Sequence, residues 1–283
     1  MKIFDSHCHY NLSPLLEDWQ THWNTSQEHG IIGSIVVGTD LETSREAISI
    51  AKQATDLFPA VGIHPGHWQL NSNQDMQQVM SELELILQKN EVQAFGETGL
   101  DYFRMPADAQ EAQNIQEIQK NALIMQLEMV RTFQKKKASD AKLPVILHVR
   151  DTQTLETATP GNAYWDVINI TQKYSDLQFI LHCVSGPQAY VRTMIERGAF
   201  VSVAANCTYP SAQSIRDLVS LIPSEKILIE TDAPFLPPQG FRGKQCEPWM
   251  ITLTMEYLAT HFGVTEQQLL ANTQSCFGIP LNV

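Results

Sequence analysis

Histidine and acidic side chains recur at the ends of short apolar segments in this sequence. The chain has 9 His and 31 Asp plus Glu among 283 residues, so one such residue after one apolar segment would carry little weight. Six of eight segments end this way, however, which favours a shared site that binds metal ions. The residues concerned are His7, His9, His64, Glu97, His148, His182 and Asp232.

The spacing of His7 and His9 has a geometric consequence. Residues two apart in a strand project to the same side, so both imidazoles can face one metal ion while Cys8 points away. Imidazole and carboxylate ligands without thiolate suit Zn, Mn, Fe or Mg. Four histidines and two carboxylates are more than one open catalytic ion needs. They suit two divalent ions, about 3.5–4 Å apart, that share a bridging carboxylate and support displacement at phosphorus or carbon.

Several of these side chains also have an ordinary structural interpretation. Taken alone, His64 would more often cap a turn before Pro65 than contact a substrate. His22, His29 and His261 fall in helical stretches and are interpreted as structural. Acidic residues normally face water, but those that follow the apolar strand KILIE would be buried, and a buried carboxylate requires a partner or a metal.

The apolar segments themselves predict β-strands. Their near-continuous hydrophobicity is typical of parallel strands covered on both faces. The segments are KIFDSH, IIGSIVVGT, FPAVGIHP, VQAFGETG, LPVILHVRD, LQFILHCVSG, AFVSVAANC and KILIETDAP. Eight strands alternating with helices predict an α/β fold, a single (β/α)8 TIM barrel that spans residues 1–283 as one domain, although a doubly wound open sheet has similar alternation.

Helical stretches lie between the strand segments. Apolar residues at helical spacing predict a helix from Gln74 to Gln88 and another over 109–137, which ends in a basic run. The candidate capping pairs are Ser72 with Asp75, and Thr265 with Gln268. A segment rich in Thr, TQTLETATPGNA, departs from this rhythm after LHVRD, before Tyr164 and Trp165 begin a further helix. This insertion at 151–163 follows a strand, so we expect it on the catalytic face, where it could narrow the mouth as a partial lid.

Composition limits how this protein can meet its partners. The formal net charge is −12, so the molecule repels polyanions as a whole and must hold any phosphate substrate locally. The sequence predicts no signal peptide and no membrane span, and therefore a cytoplasmic protein. Five scattered cysteines without a CxxC pair are predicted to be free thiols.

A series of motifs gives the site a family likeness. DSHCH, VGIHPGH, GETGLDYFR, LPVILHVRD, LHCVSG, ETDAPFL and the RGK and EP of FRGKQCEP resemble, in order, the motifs of TatD-like deoxyribonucleases, which belong to the amidohydrolase-like metallo-dependent hydrolases. GETGLDY together with ETDAP is much more diagnostic than D-x-H-x-H alone. The sequence departs from the family where Val184 replaces a common aromatic and Cys246 replaces a common Asn. We expect both positions near the substrate cleft.

The resemblance implies a binuclear metal site. His7, His9, Glu97 and Asp232 would bind one ion, whereas Glu97 would bridge to a second ion held by two further histidines. The second pair is His148 and His182. The resemblance also implies metal-dependent nuclease activity on DNA, often 3′ to 5′ exonucleolytic, with Zn, Mg or Mn as candidate metals.

The mechanism expected from these residues is hydrolysis by a metal-bound hydroxide. Glu97 and Asp232 are the catalytic candidates, and Asp232 would both hold a metal and take the proton from the attacking water. Tyr102 with Phe103 could stack on a base of single-stranded DNA. The full set of candidate substrate-binding residues is His64, Tyr102, Arg104, Arg150, Arg242 and Lys244.

Two other classes of function are compatible with the same residues. A metal pair of this kind could instead hydrolyse a small ester, lactone or amide, or remove an aminoacyl group from tRNA. A non-catalytic barrel that binds a partner is disfavoured, because a decayed enzyme would be expected to have lost a metal ligand and all six are present.

Overall fold

The computed structural model of the protein describes residues 1–68, 73–137, 142–152 and 161–281. Eight parallel strands pair in the order in which they occur in the chain, with helices between them, so the fold is the predicted (β/α)8 TIM barrel. The strands are β1 Ile3–Cys8, β2 Ile31–Val37, β3 Leu57–Val61, β4 Ala94–Asp101, β5 Val145–Arg150, β6 Phe179–Leu181, β7 Phe200–Val203 and β8 Ile227–Ile229. The α-helices are α1 Trp19–Glu28, α2 Leu41–Ala51, α3 Asn73–Lys89, α4 Ala109–Lys136, α5 Ala163–Thr171, α6 Gln188–Glu196, α7 Gln213–Val219, α8 Ile251–Phe262 and α9 Glu266–Phe277.

The barrel closes between β1 and the segment that follows β8. The backbone N–H of Asp232 donates to the carbonyl of His7 at 2.9 Å, and the N–H of His9 donates to the carbonyl of Ala233 at 2.8 Å. These hydrogen bonds set Asp232 beside His7 although the two residues are 225 positions apart.

Alternate strand residues face the barrel interior and the surrounding helices. In β2, Ile35 and Val37 belong to an inner apolar cluster, whereas Val36 belongs to the cluster between strands and helices. Each of the eight strands contributes at least one residue to the inner cluster. Both faces of every strand are therefore buried, which explains the near-continuous hydrophobicity of the strand segments.

Helix α9 covers the end of the barrel at which the strands begin. Phe277 packs its ring 6.2 Å from that of Phe4 in β1, and Gln178 donates its side-chain N–H to the carbonyl of Cys276 at 2.8 Å. Leu270 joins the same inner cluster. The opposite end, where the strands finish, is left to polar residues and loops.

The helix predictions agree with the structure at most of their bounds. Helix α3 includes the predicted span, α4 matches the predicted 109–137, and Thr265 accepts the N–H of Gln268 at 3.2 Å as a cap. The Ser72 with Asp75 pair lies outside the residues whose contacts the structure describes. All five cysteines are free, as predicted. Within the described residues, no helix combines the length and the apolar character that crossing a membrane would need.

Candidate metal centre

Glu97 lies at the centre of a group of imidazoles at the mouth of the barrel. Its Oε2 atom is 3.7 Å from Nε2 of His7 and 3.9 Å from Nε2 of His9. Its Oε1 atom is 2.6 Å from Nδ1 of His148 and 3.6 Å from Nε2 of His182. The structure thus brings four of the six predicted metal ligands around the carboxylate of the fifth, Glu97, and Asp232 joins them through the histidines.

An irregularity in β4 directs Glu97 into this group. Phe95 pairs with Val145 and Thr98 pairs with Leu147, so β4 holds one residue more than β5 over this stretch. Such a bulge re-aims a side chain next to it. Glu97 was predicted at the end of its strand, which is wrong, because β4 continues four residues further and Glu97 lies inside it.

The two glycines of the GETG motif make the bulge possible. Gly96 and Gly99 have φ values of +148° and +149°, which side-chain-bearing residues rarely adopt. A Cβ atom at Gly99 would lie 1.8 Å from the carbonyl oxygen of His148, and one at Gly96 would lie 2.8 Å from that of Ile146. Any larger residue at either position would push β4 away from β5 and displace Glu97.

His7, His9 and Asp232 form what we call the inner pocket. The Nε2 atoms of the two histidines are 3.1 Å apart, which confirms that they face the same side. Oδ1 of Asp232 is 3.6 Å from Nε2 of His7 and 3.4 Å from Nε2 of His9. Nδ1 of His9 lies 2.8 Å from the carbonyl of Val37, which can only accept, so Nδ1 donates and the Nε2 lone pair of neutral His9 faces the pocket.

His182 is oriented in the same manner by a buried carboxylate. Its Nδ1 is 3.0 Å from Oε1 of Glu230, and its Nε2 is 3.8 Å from Oδ1 of Asp232. Glu230 also accepts the backbone N–H of Cys183 at 2.6 Å, which fixes its carboxylate. A histidine with one ring nitrogen beside a carboxylate and the other facing a cluster has the arrangement common among metal-binding histidines.

These donor atoms fit divalent cations. Two ligands of one tetrahedral ion, each about 2.1 Å from it, lie about 3.4 Å from each other. Asp232 Oδ1 and His9 Nε2 have that separation at 3.4 Å, and Asp232 Oδ1 and His7 Nε2 are close to it at 3.6 Å. Such distances are longer than those of ordinary hydrogen bonds and are those expected of neighbouring ligands that share one ion.

The pKa values describe how the protein balances these charges without a cation. Burial alone would raise the pKa of Glu97, but the positive charges of His182 and His148 hold it well below the usual carboxyl range. Burial opposes charge on these two histidines, yet the Glu97 carboxylate raises the pKa of His148 to about 9 and Glu230 raises that of His182 to about 10. Glu97 thus stays ionised and is available as a ligand.

Asp101, which the sequence analysis did not select, completes an outer pocket with His64 and His148. Oδ2 of Asp101 is 3.5 Å from Nε2 of His148. Asp101 is four positions after Glu97 in β4. Residues an even number apart share a strand face, which was the signal that could have found Asp101.

His64 lies at the site in a defined tautomer. Its Nδ1 accepts the backbone N–H of Gly66 at 2.9 Å, so the neutral ring carries its proton on Nε2. Burial, with the positive charge of His148, lowers the pKa of His64 to about 3, which keeps the ring neutral. Nε2 is 3.9 Å from Oε1 of Glu97. His64 therefore presents an N–H donor, and not a lone pair, to the cluster.

Asp5, the first residue of the DSHCH motif, fixes the backbone around the inner pocket through hydrogen bonds. Its carboxylate accepts the backbone N–H groups of His7 at 3.1 Å and Thr231 at 3.0 Å, and the Thr231 hydroxyl at 2.6 Å. The sequence analysis missed this role because the partner strand is more than two hundred residues away. Asp5 therefore links β1 to the segment after β8, two parts of the barrel that few backbone hydrogen bonds join.

Tyr102 does not have the position predicted for it. It is 4% exposed, and its hydroxyl donates to Asp166 of α5 at 3.0 Å. The prediction that its ring stacks on a base is wrong for this structure, because Tyr102 N donates to the carbonyl of Arg150 and continues the strand pairing, which turns the ring towards α5. Its neighbour Phe103 is exposed, with the guanidinium of Arg150 3.7 Å from its ring centroid.

The other predicted substrate cations lie on loops that follow strands. Arg242 stacks its guanidinium 4.7 Å from the ring of Tyr209, and Nζ of Lys244 is 5.7 Å from the ring of Phe241. Arg104 is exposed after β4. Aromatic contacts of this kind hold a cation in place while its charge stays available.

The two positions that depart from the family motifs are buried. Val184 and Cys246, expected near the cleft, are buried at 2% and 0% exposure, so neither side chain is open to a substrate in this structure. Most of the suggested lid, residues 153–160, lies outside the described residues. Asp151 accepts the N–H of Ala163 at 2.8 Å and so joins the two ends of that insertion.

A parallel eight-stranded barrel that gathers imidazoles and carboxylates at its mouth is the architecture of metal-dependent hydrolases. The chain matches the model of TatD related DNases over residues 4–278, and it belongs to that family of metal-dependent hydrolases. The uncharacterized metal-dependent hydrolase YjjV of Escherichia coli K12 is 27% identical over 285 residues, which are 99% of either chain. The crystal structure of the E. coli TatD homologue YjjV superposes on this chain with a TM-score of 0.81, at 26% identity over 98% of both chains.

Other similar proteins extend this comparison. The uncharacterized metal-dependent hydrolase MG009 of Mycoplasma genitalium is 30% identical over 266 residues, 92% of this chain and 91% of that one. The organophosphorus hydrolase of Deinococcus radiodurans superposes with a TM-score of 0.59 at 11% identity, over 98% of this chain and 92% of that chain. At that identity the likeness concerns the fold alone.

Proposed function

We propose that this chain is a metal-dependent deoxyribonuclease that removes nucleotides from the 3′ ends of single-stranded DNA. The observation that carries the proposal is the position of Glu97, whose two oxygens face different sets of imidazoles. This arrangement suits two divalent ions that share one carboxylate. Zn, Mn and Mg are the candidates, held by His7, His9 and Asp232 on one side, by His148 and His182 on the other, and by Glu97 on both. Bound there, they would acidify water and stabilise the charge that builds on phosphoryl oxygens.

Asp232 is the base in this proposal. Of the three buried carboxylates at the mouth, its side chain is the most exposed, at 12% against 4% for Glu97 and 1% for Glu230. Asp232 can therefore take a proton from the attacking water and release it to solvent. Glu97, enclosed by histidines, is suited to stay ionised.

Other side chains would bind the substrate. The Nε2–H of His64 can donate to a phosphate oxygen, and the guanidiniums of Arg150 and Arg242 match phosphate geometry. Because the net charge is −12, only a few phosphates near these cations are held, and a free end of a single strand suits this better than a duplex.

The test is a substrate panel with the metal-loaded protein: single- and double-stranded DNA, RNA, a phosphotriester, a lactone and an aminoacyl-tRNA. We expect shortening of single strands from the 3′ end, and resistance when the terminal 3′ linkages are phosphorothioates. The Glu97→Gln variant, purified in parallel, controls for contaminating nucleases. Faster turnover of the lactone or of the aminoacyl-tRNA than of any DNA would overturn the proposal.

A further inference from the structure

Exposed aromatic surface is concentrated at the mouth of the barrel. Every Phe, Tyr and Trp of the chain lies among the described residues, and just two are exposed: Phe103 at 41% and Phe235 at 52%. Phe103 follows β4, which carries Glu97, and Phe235 follows β8 and Asp232. Single exposed apolar residues are common on proteins, but these two flank the reactive cluster.

Phe235 lies beside the inner pocket. Its ring centroid is 6.0 Å from that of His9, with an angle of 73° between the planes. The backbone N–H of Phe235 donates to the carbonyl of Asp232 at 2.8 Å. This hydrogen bond holds the backbone of Phe235 next to that of the proposed base. Phe103, in contrast, has the Arg150 guanidinium over its ring.

The backbone that carries Phe235 is held on both sides. Ala233 accepts the N–H of His9 at 2.8 Å, and Pro234 accepts the N–H of Cys246 at 3.0 Å. Asp232 and Leu236 have φ values of 58° and 52°, in the left-handed region that non-glycine residues seldom occupy. Such conformations persist where the surroundings enforce them, and they concentrate at functional sites. Phe235 is therefore an exposed ring on a fixed support.

We propose that Phe235 is the platform on which the nucleobase next to the scissile phosphodiester stacks, and that this contact makes the site prefer nucleotide chains to small phosphodiesters. The inference rests on the proposed nuclease function. Aromatic rings accept any base, because every base has a π-face, which suits an enzyme that shortens strands of any sequence. The ring of Phe235 lies 6.0 Å from that of His9, so a base attached to a phosphate at the cluster can reach it.

The test compares Phe235→Leu with the wild type on two single strands, one normal and one with an abasic 3′-terminal nucleotide. Stacking contributes about 5- to 150-fold per base, so kcat/KM on the normal strand should fall by that factor, whereas kcat/KM on the abasic strand should change by less than about twofold. Phe235→Trp should retain activity on both strands. Leu85→Ala, which removes an exposed side chain from α3, is the matched control and should behave as the wild type.

A binding measurement separates stacking from damage to the fold. A strand with 2-aminopurine at its 3′ terminus should lose fluorescence on binding to Glu97→Gln, and lose less on binding to the Phe235→Leu, Glu97→Gln double variant. Equal losses of activity on normal and abasic strands, or equal quenching, would overturn the stacking role while leaving the nuclease proposal intact. A wild-type protein that cuts no strand would overturn both.

Discussion

The inner pocket and the outer pocket offer similar donor atoms in different surroundings. In the inner pocket the side chains of His7 and His9 are 1% and 3% exposed, whereas His148 and His64 in the outer pocket are 19% and 21% exposed. Asp5 ties β1 to the segment after β8 at the inner pocket. The difference indicates a rigid, dry inner pocket and an outer pocket open to substrate.

The hydrogen bonds that orient the ligands also differ between the two pockets. His9 has its second nitrogen on the Val37 carbonyl, and His7 and Asp232 are joined by a backbone hydrogen bond. His148 faces Asp101 at 3.5 Å, too long for a strong hydrogen bond. A cation in the inner pocket should therefore be bound more tightly than one held by Glu97, His148 and His182, because the inner ligands need less rearrangement than His148 does.

The largest expected effect follows from removing an inner ligand. His9→Ala should lower kcat at least about 10³-fold, or about 4 kcal/mol in transition-state stabilisation, because it disrupts the pocket that also holds the base. Steady-state kinetics and metal content per chain would be measured together. His261→Ala, a helix α8 histidine stacked on Tyr257, is the control and should leave both unchanged. Near-normal activity of His9→Ala would remove the inner pocket from the reaction.

A smaller loss is expected from the outer pocket. His148→Ala should lower kcat by about 100-fold and reduce bound metal by about one ion per chain, since the remaining ligands still hold the inner ion. Excess Mn²⁺ should restore part of the activity, because the outer pocket is open. We expect no variant on this side of the cluster to lose all of its metal. If His148→Ala did so, the two ions would have to be treated as bound at one site.

Much of this site could be predicted from the sequence, for physical reasons that particular residues illustrate. His7 and His9 are two apart in a strand, and the strand period alone predicted that their nitrogens converge. The parallel alternation placed Glu97 and Asp232 at one end of the barrel without any knowledge of their contacts. These predictions depend on local periodicity, which a sequence displays directly.

Other features depend on pairing between distant segments, which periodicity does not reveal. The bulge in β4 moves Glu97 relative to β5, and the closure by Asp5 joins residues 226 positions apart. Tyr102 was expected at the surface because it follows a strand, but strand pairing continues through it and turns its ring inward. Substrate-facing residues were therefore harder to predict than the residues of the cluster.

The role of Asp5 can be measured in the metal-free protein. Asp5→Ala leaves buried N–H and hydroxyl groups without their acceptor, so the free energy of unfolding should fall by about 2–3 kcal/mol. Asp101→Ala in the outer pocket is the comparison and should cost about 1 kcal/mol or less, because that side chain is partly exposed. Denaturant unfolding would measure both, and an equal loss for the two variants would contradict the difference between the pockets.

The smallest effect concerns the cations outside both pockets. A few phosphate contacts predict a slope of log affinity against log salt near −2 for single strands, at about −0.7 per phosphate. Arg242→Ala should reduce the slope by about one such contact for every sequence alike. Binding would be measured with Glu97→Gln to prevent cleavage, and Lys52→Ala, on the surface after α2, is the control. A slope near −5 would point to a broad basic surface that the charge of this chain does not provide.

The central claim is that Glu97 is shared by two cations, and crystals grown with Mn²⁺ test it most directly. An anomalous difference map should contain two peaks at the mouth, each about 2.0–2.2 Å from a different oxygen of Glu97, one beside His9 and the other beside His148. A map with no peak at Glu97, or with one peak that does not touch this carboxylate, would contradict the account.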